Sequence, residues 1–206
     1  MDSFDKNVFI NCSFDDDYRE LLISLLFTVM YLGLNPRIAL ERFDSGETRI
    51  NKILKLISES RFGIHDISKI VSSKKDEVFH MNMPFELGID YGCTKLLKGQ
   101  WETKRILILG REQYRYHEAL SDLSGSDIKH HDDEAIKLVK VVRDWFICEV
   151  FNKGPSHKRI WYEYNDFMND LSNKLTTQGY ELDDLETAPI PEIMSYMQEW
   201  LNKNNN

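Results

Sequence analysis

Polar side chains that could bind a ligand follow the apolar runs that the sequence predicts to be strands. They comprise Asn11, Cys12, Ser13, Phe14 and Asp15 after the first run, Asp44, Ser45 and Arg49 after the second, His65 and Asp66 after the third, Met83 and Glu86 at the start of the next helix, and Tyr114 and Arg115 after the fourth. Carboxylates, amides, hydroxyls and arginines in this combination suit a small polar ligand with a ribose and a phosphate. Arg37, Arg49 and Arg115 are the candidate phosphate partners.

Strands alternating with amphipathic helices must position these groups. Apolar runs at 7–12, 37–40, 61–67 and 105–110 predict buried strands, with a short fifth at 128–130. Apolar residues at helical spacing separate them, as in Leu21, Leu22, Leu25 and Leu26. This order predicts an α/β, flavodoxin-like three-layer fold with a mainly parallel sheet of four to five strands, plus C-terminal helices. Ligands bind such sheets beyond the carboxyl ends of the strands, where the polar residues above are expected.

The segment Asn152-Lys153-Gly154-Pro155-Ser156 is the best boundary signal in the chain. It predicts an α/β nucleotide-binding domain over residues 1–151. The remainder, residues 152–206, is expected to be a helical extension packed on that domain.

Composition excludes several classes of protein. The 206 residues carry a formal net charge of −8, which makes nucleic acid an unfavourable partner. Three cysteines without a CxxC pair favour a reducing compartment and provide no zinc framework. The N-terminus lacks the order of a signal peptide, and the apolar stretch from Leu21 to Leu34 is too short to span a bilayer. We therefore expect a cytoplasmic protein without a membrane partner.

Three motifs carry a resemblance to a known superfamily. VFINCSFD, IHDIS and NMPFELGIDYG, in this order, resemble the TIR-like and nucleoside 2-deoxyribosyltransferase-like proteins over about the first 125 residues. The resemblance implies a TIR-like fold in which the loop Asn11–Asp15 binds ribose. It also implies that Asp66 ends the third strand and that Glu86 attacks or stabilises the sugar. Bacterial members include nucleotide hydrolases and enzymes of antiphage defence, which implies a homo-oligomer or a defence-system partner protein.

The chemistry implied by this resemblance is cleavage or transfer at a C–N glycosidic bond, with NAD or a related nucleotide as substrate and no required cofactor. An ionised carboxylate stabilises the positively charged sugar or adds to it. Pro84 predicts the first helical turn for Glu86, where the helix dipole favours the charged form. The nicotinamide ring of NAD is already positively charged and leaves as a neutral base when it takes the C–N bonding electrons, whereas an ordinary nucleobase needs a proton donor, for which His65 and Asp66 are candidates.

Structural explanations compete with these roles. Glu86 fits ordinary charge near a helix start, Asp66 fits a cap or turn, and Asp44 with Glu47 fits a capping box. Cys12 is a weak nucleophile candidate because strand-end cysteines usually pack. Tyr114 and Arg115 could stack on a base or pack internally, and His130-His131 is an unlikely metal site because neighbours on a strand face opposite ways.

A second function stays open. The chain lacks the tryptophan-containing glutamate motif of catalytic TIR domains. This departure favours, as the alternative, a non-catalytic nucleotide-sensing or assembly module.

Overall fold

A five-stranded parallel sheet forms the centre of the molecule. The computed structural model describes residues 3–41, 44–69, 81–112, 120–123, 125–181, 184 and 187–204. The strands are β1 (Asn7–Asn11), β2 (Asn35–Arg37), β3 (Phe62–Asp66), β4 (Arg105–Gly110) and β5 (Lys129–His130). Their spatial order is β2-β1-β3-β4-β5, and every neighbouring pair is parallel. This is the flavodoxin-like order, so the fold class expected from the sequence is confirmed.

Helices cover both faces of this sheet. They are α1 (Ser3–Lys6), α2 (Arg19–Tyr31), α3 (Arg49–Ser58), α4 (Asn82–Leu96), α5 (Ala135–Phe146), α6 (His157–Thr177) and α7 (Ile190–Asn204). A π-helical turn, Ile147–Phe151, extends α5. None of the described helices combines the length and apolar character that a membrane span requires.

The two faces of the sheet are covered unequally. On one face α2 and α5 lie against the strands, and a single apolar cluster continues from them into α6 and α7. Phe27 of α2 illustrates this continuity, because its ring contacts Phe167 of α6 and Trp200 of α7. On the opposite face, α3 packs Ile53 and its neighbours onto Phe9 of β1, with Ile89 of α4 beside them. The helices after residue 152 therefore share their core with the sheet.

Three local expectations need correction: the bounds of β2, the capping box of Asp44 and Glu47, and the position of Glu86 along its helix. β2 ends at Arg37 rather than beginning there, and a 3-10 turn, Ala39–Glu41, follows it. Asp44 and Glu47 do not form a capping box, because α3 begins only at Arg49 and Asp44 Oδ1 instead accepts from the backbone N–H of Gly46 at 2.8 Å.

Glu86 lies beyond the first turn of α4, since that helix begins at Asn82, two residues before Pro84. The helix dipole is weak at that distance from the end. Other groups must therefore set the charge of Glu86.

The switch point of the sheet lies between β1 and β3. The chain leaves β1 toward the face that α2 covers and reaches β3 through α3 on the other face. Divergence of the chain at such a point opens a crevice at the carboxyl ends of the two strands. Asn11 ends β1 opposite His65 of β3, and Asp66 follows His65 at the same edge.

Candidate functional site

Glu86 is a buried carboxylate with one arginine beside it. Its residue is 4% exposed, and its Oε1 lies 3.3 Å from Arg49 Nη2 of α3, whose own side chain is 55% exposed. Burial raises the pKa of Glu86, and the charge and hydrogen bond of Arg49 oppose that rise. The buried acid is therefore paired with an arginine that water, or an anionic ligand, can reach.

Two contacts fix the part of α4 that carries Glu86. The first is on the N-terminal side, where Asn11 Nδ2 donates to the carbonyl of Met83 at 2.9 Å. The same amide nitrogen lies 3.0 Å from His65 Nδ1. The Met83 carbonyl can only accept, so the Asn11 atom facing it is the amide nitrogen, which is a donor. That nitrogen therefore also donates to His65 Nδ1, and the ring proton of His65 lies on Nε2. Asn11 thus joins the end of β1 to α4 and to β3.

The second contact lies one turn after Glu86. His65 Nε2 is 3.0 Å from Asp90 Oδ2, and both side chains are fully buried. Lys104 Nζ lies 2.9 Å from Asp90 Oδ1, close enough for an ion pair although poorly aligned for a hydrogen bond. Burial raises the pKa of Asp90, but His65 and Lys104 outweigh burial and hold it below its ordinary value.

Lys104 extends this network to the end of α3. Its ammonium donates to the carbonyl of Ile57 at 3.0 Å and to that of Ser60 at 2.5 Å. A cation is favourable at the C-terminus of a helix, where carbonyls lack helical partners. One buried ion pair therefore connects α3, α4 and the start of β4.

Gly63 provides the space for this network. A Cβ atom at Gly63 would lie 2.3 Å from Asp90 Oδ2 and 2.9 Å from His65 Nε2. Residues two apart on a strand share a face, so Gly63 lies beside His65 on the side that α4 covers. Any side chain there would occupy the position of the Asp90 carboxylate.

Asp66, at the end of β3, belongs to a second buried network, which connects it to Tyr18 and His131. The Tyr18 hydroxyl donates to Asp66 Oδ2 at 2.5 Å, and His131 Nε2 lies 2.9 Å from the same oxygen. Asp66 Oδ1 accepts from the backbone N–H of Ser68 at 2.8 Å. Burial raises the pKa of Asp66, but these bonds and the charge of His131 outweigh it, so the pKa is lowered.

His131 is fixed by the same network. Burial lowers its pKa, but the hydrogen bond and charge of Asp66 outweigh burial and raise it. Ser68 Oγ is 3.0 Å from His131 Nε2, the nitrogen that also contacts Asp66. A Ser-His-Asp catalytic triad uses opposite ring nitrogens for the acid and the serine, so this cluster does not have a triad's geometry.

Cys12 directly follows β1 and is buried. Burial raises the pKa of its thiol well above the ordinary value, and the charges of Asp66 and Glu86 raise it further. The thiol therefore stays protonated, which removes it as a nucleophile. Its role here is packing in the main apolar cluster.

The other candidates contact neither Glu86 nor Asp66 in any hydrogen bond or ion pair found among the described residues. Ser13 Oγ donates to Asp15 Oδ2 at 2.6 Å within the first loop, and Phe14 packs against the main apolar cluster. Asp44 and Ser45 are exposed ahead of α3. Arg37 forms ion pairs with Glu41 and Glu59, at 2.7 and 3.1 Å, so its guanidinium is already engaged and is a poor candidate for binding phosphate. Tyr114 and Arg115 lie outside the described residues.

Four residues of the site escaped the sequence interpretation: Tyr18, Asp90, Lys104 and His131. Asp90 carries a recognisable signal, because it continues the buried face of α4 at the spacing of Met83 and Leu87. A carboxylate on an apolar face predicts a buried partner. His131 and Tyr18 reach Asp66 from distant parts of the chain, which no local pattern reveals.

Comparisons of the chain with protein-family models, with curated proteins and with solved structures gave no match. Within the residues that the structure describes, no group of three or more His, Cys, Asp or Glu side chains could hold a metal ion. The functional argument therefore depends on the geometry of the switch point and on the resemblance of its motifs.

Proposed function

We propose that this protein cleaves or transfers at the N-glycosidic bond of NAD or a related nucleotide, with Glu86 as the carboxylate that meets the sugar. One observation carries the proposal. Among the described residues, the carboxylate of Glu86 hydrogen-bonds only to the exposed Arg49, and it lies beside the switch point, where open parallel sheets bind ligands. A buried acid with one displaceable partner is suited to a charge that develops on a ligand.

The two networks favour NAD over ordinary nucleosides. His65 is fully buried, its Nδ1 accepts from Asn11 and its Nε2 proton is donated to Asp90, so that proton is not directed at a leaving group. The pKa of Asp66 is lowered by its hydrogen-bond donors, so it is ionised near neutral pH and cannot act as the acid. A leaving group that needs no proton, such as the nicotinamide of NAD, fits a site without an acid.

Arg49 supports a phosphate on the substrate. Its guanidinium offers several donors and uses one of them on Glu86 at 3.3 Å. A phosphate bound at the edge of the sheet would take the remaining donors or draw Arg49 away from Glu86. The loop from Asn11 to Asp15 would then contact the ribose. The resemblance of the motifs supports a role in bacterial defence or signalling.

The test is a substrate panel with chromatographic detection of the released base. Purified protein is incubated with NAD, nicotinamide riboside and adenosine, alongside a Glu86→Gln variant. We expect nicotinamide release from NAD, less from the riboside and none from adenosine. Loss of turnover in Glu86→Gln by at least about 100-fold would agree with a carboxylate that acts on the sugar. Equal turnover in both proteins would remove Glu86 from the reaction.

One observation favours the second candidate, a nucleotide-sensing module without catalysis. The side chains of Asn11, His65 and Asp66 are each engaged with protein partners, an arrangement that suits binding better than proton transfer. Calorimetric titration with ADP-ribose separates the two candidates. Binding without product formation from NAD at any protein concentration favours the sensor.

A further inference from the structure

The outward face of α4 has an unusual distribution of polarity. The acidic residues of this helix, Glu86 and Asp90, are buried, whereas Met81, Phe85 and Leu96 are 58%, 60% and 80% exposed. An amphipathic helix on a monomer usually shows the reverse arrangement. Within the residues that the structure describes, no packing of the chain accounts for this face.

The exposed residues form one continuous stripe. Met81, Phe85, Gly88, Gly92 and Leu96 follow one another at intervals of three or four residues, the spacing of a single helix face. Cβ atoms added at Gly88 or Gly92 would meet no atom within 4 Å, so both glycines leave open space on the surface. The stripe thus has large apolar side chains at its ends and a smooth, narrow centre. We call it the α4 stripe.

We propose that the α4 stripe is the contact surface of a homodimer, in which α4 pairs antiparallel with α4 of a second copy. A twofold axis between Gly88 and Ile89 would set each residue opposite the one equally far on the other side. Phe85 would then face Gly92 of the second copy, and Met81 would face Leu96. The Phe85 ring of each copy thus meets the open space at a glycine, and the apolar side chains at the two ends of α4 meet each other. The surface is therefore complementary to itself.

Charge favours the same occupant. The chain has a net charge of −8, so two copies repel each other wherever acidic surfaces meet. The α4 stripe exposes no carboxylate, because Glu86 and Asp90 point into the fold. The flanking Lys95 would face Asn82 of the second copy, which brings an ammonium to an amide rather than to another cation.

The expected affinity is modest. A helix of 15 residues on each protomer offers less area than a standard protein interface. We therefore expect a dissociation constant in the micromolar range, visible by sedimentation equilibrium from roughly 1 µM to a few hundred µM.

Substitutions in the stripe test the proposal. Phe85→Glu places a charge in each half of the contact, and we expect the dissociation constant to rise at least about 100-fold. The matched control is Tyr162→Glu on α6, where an aromatic side chain is 73% exposed away from the stripe. It should leave dimerisation unchanged.

A second variant separates loss of the dimer from loss of the fold. Gly92→Gln replaces glycine in a helix by a better helix former at a position with open space, so the fold is retained. The new side chain fills the space that Phe85 of the second copy would use. The dimer should weaken while the melting temperature of the monomer holds or rises.

Disulfide trapping tests the register. In a Cys93→Ala, Cys148→Ser background, which removes the two cysteines that are not fully buried, Met81→Cys with Leu96→Cys should form a covalent dimer on oxidation. The two positions are about 22 Å apart along one helix, too far for a bond within a chain. Each single cysteine variant should form no covalent dimer, because position 81 faces position 96 of the second copy and not itself. A wild-type chain that is monomeric at all concentrations, a Phe85→Glu protein that still dimerises, or equal trapping in the single variants would each overturn the proposal.

Discussion

Glu86 and Asp90 lie one helical turn apart on the buried face of α4, and they differ in how completely they are satisfied. Asp90 contacts His65 and Lys104, which are both fully buried. Glu86 has only the exposed Arg49, at 3.3 Å, among the described residues. Asp90 thus fixes the helix, whereas Glu86 is the acid to which the proposed function assigns the substrate. The following predictions test this division of roles.

Gly63→Ala should disrupt the fixed acid. The new Cβ would lie 2.3 Å from Asp90 Oδ2, so the carboxylate must move away from His65. We expect the free energy of unfolding to fall by about 2–4 kcal/mol, measured by urea denaturation. Gly88→Ala is the matched control, because the new Cβ meets nothing within 4 Å. Replacing a glycine inside a helix by alanine should not lower the stability. Equal losses in the two variants would contradict the packing argument.

Lys104→Met should leave Asp90 without its cation. Removing one partner of a buried ion pair costs about 3–5 kcal/mol, whereas removing both charges costs much less. We therefore expect Lys104→Met with Asp90→Asn to be more stable than Lys104→Met alone, as judged by a double-mutant cycle. Additive losses would mean that the two residues do not act as a pair.

Glu86→Gln should stabilise the protein at neutral and alkaline pH. Burial raises the pKa of Glu86 in the folded state, so its contribution is favourable at low pH and is lost as the pH rises through that value. The amide carries no charge to bury, and the lost pair with the exposed Arg49 is worth little. Thermal unfolding between pH 4 and pH 8 checks this. A wild-type protein that gains stability over the variant as pH rises would contradict the burial argument.

Arg49→Gln should change the pH profile of NAD cleavage. Arg49 opposes the effect of burial on the pKa of Glu86, so its removal raises that pKa further. The acid limb of kcat/KM should therefore move to higher pH, and the KM for NAD should rise through the lost phosphate contact. Arg37→Gln, whose guanidinium is held by Glu41 and Glu59, is the control and should leave the acid limb in place.

The sheet and its polar edge were predictable from sequence because their signals are local. Apolar runs that end in Asn11 and in His65-Asp66 identified two adjacent strands, and parallel packing brings such ends together. Glu86 was selected as a candidate through the motif around Pro84, and its role stays a prediction. Its position along the helix was misjudged, since proline at the third residue of α4 looks the same in sequence as proline at the first.

The supporting networks could not be predicted in the same way. Lys104 precedes β4 and contacts Asp90, which is 14 residues earlier in sequence and is connected to it only through the fold. His131 reaches Asp66 across 65 residues. His131 lies one residue after β5, so the rule that neighbouring strand residues face opposite ways does not apply to it and gave no partner for its buried ring.

The most direct measurement is nicotinamide release from NAD by the wild-type protein and by Glu86→Gln at equal, saturating substrate. The account predicts turnover by the wild type and a loss of at least about 100-fold in the variant. It also predicts that the variant retains its fold and binds ADP-ribose. Turnover by the variant at the wild-type rate, or none by the wild type up to the concentrations at which it dimerises, would contradict a catalytic Glu86.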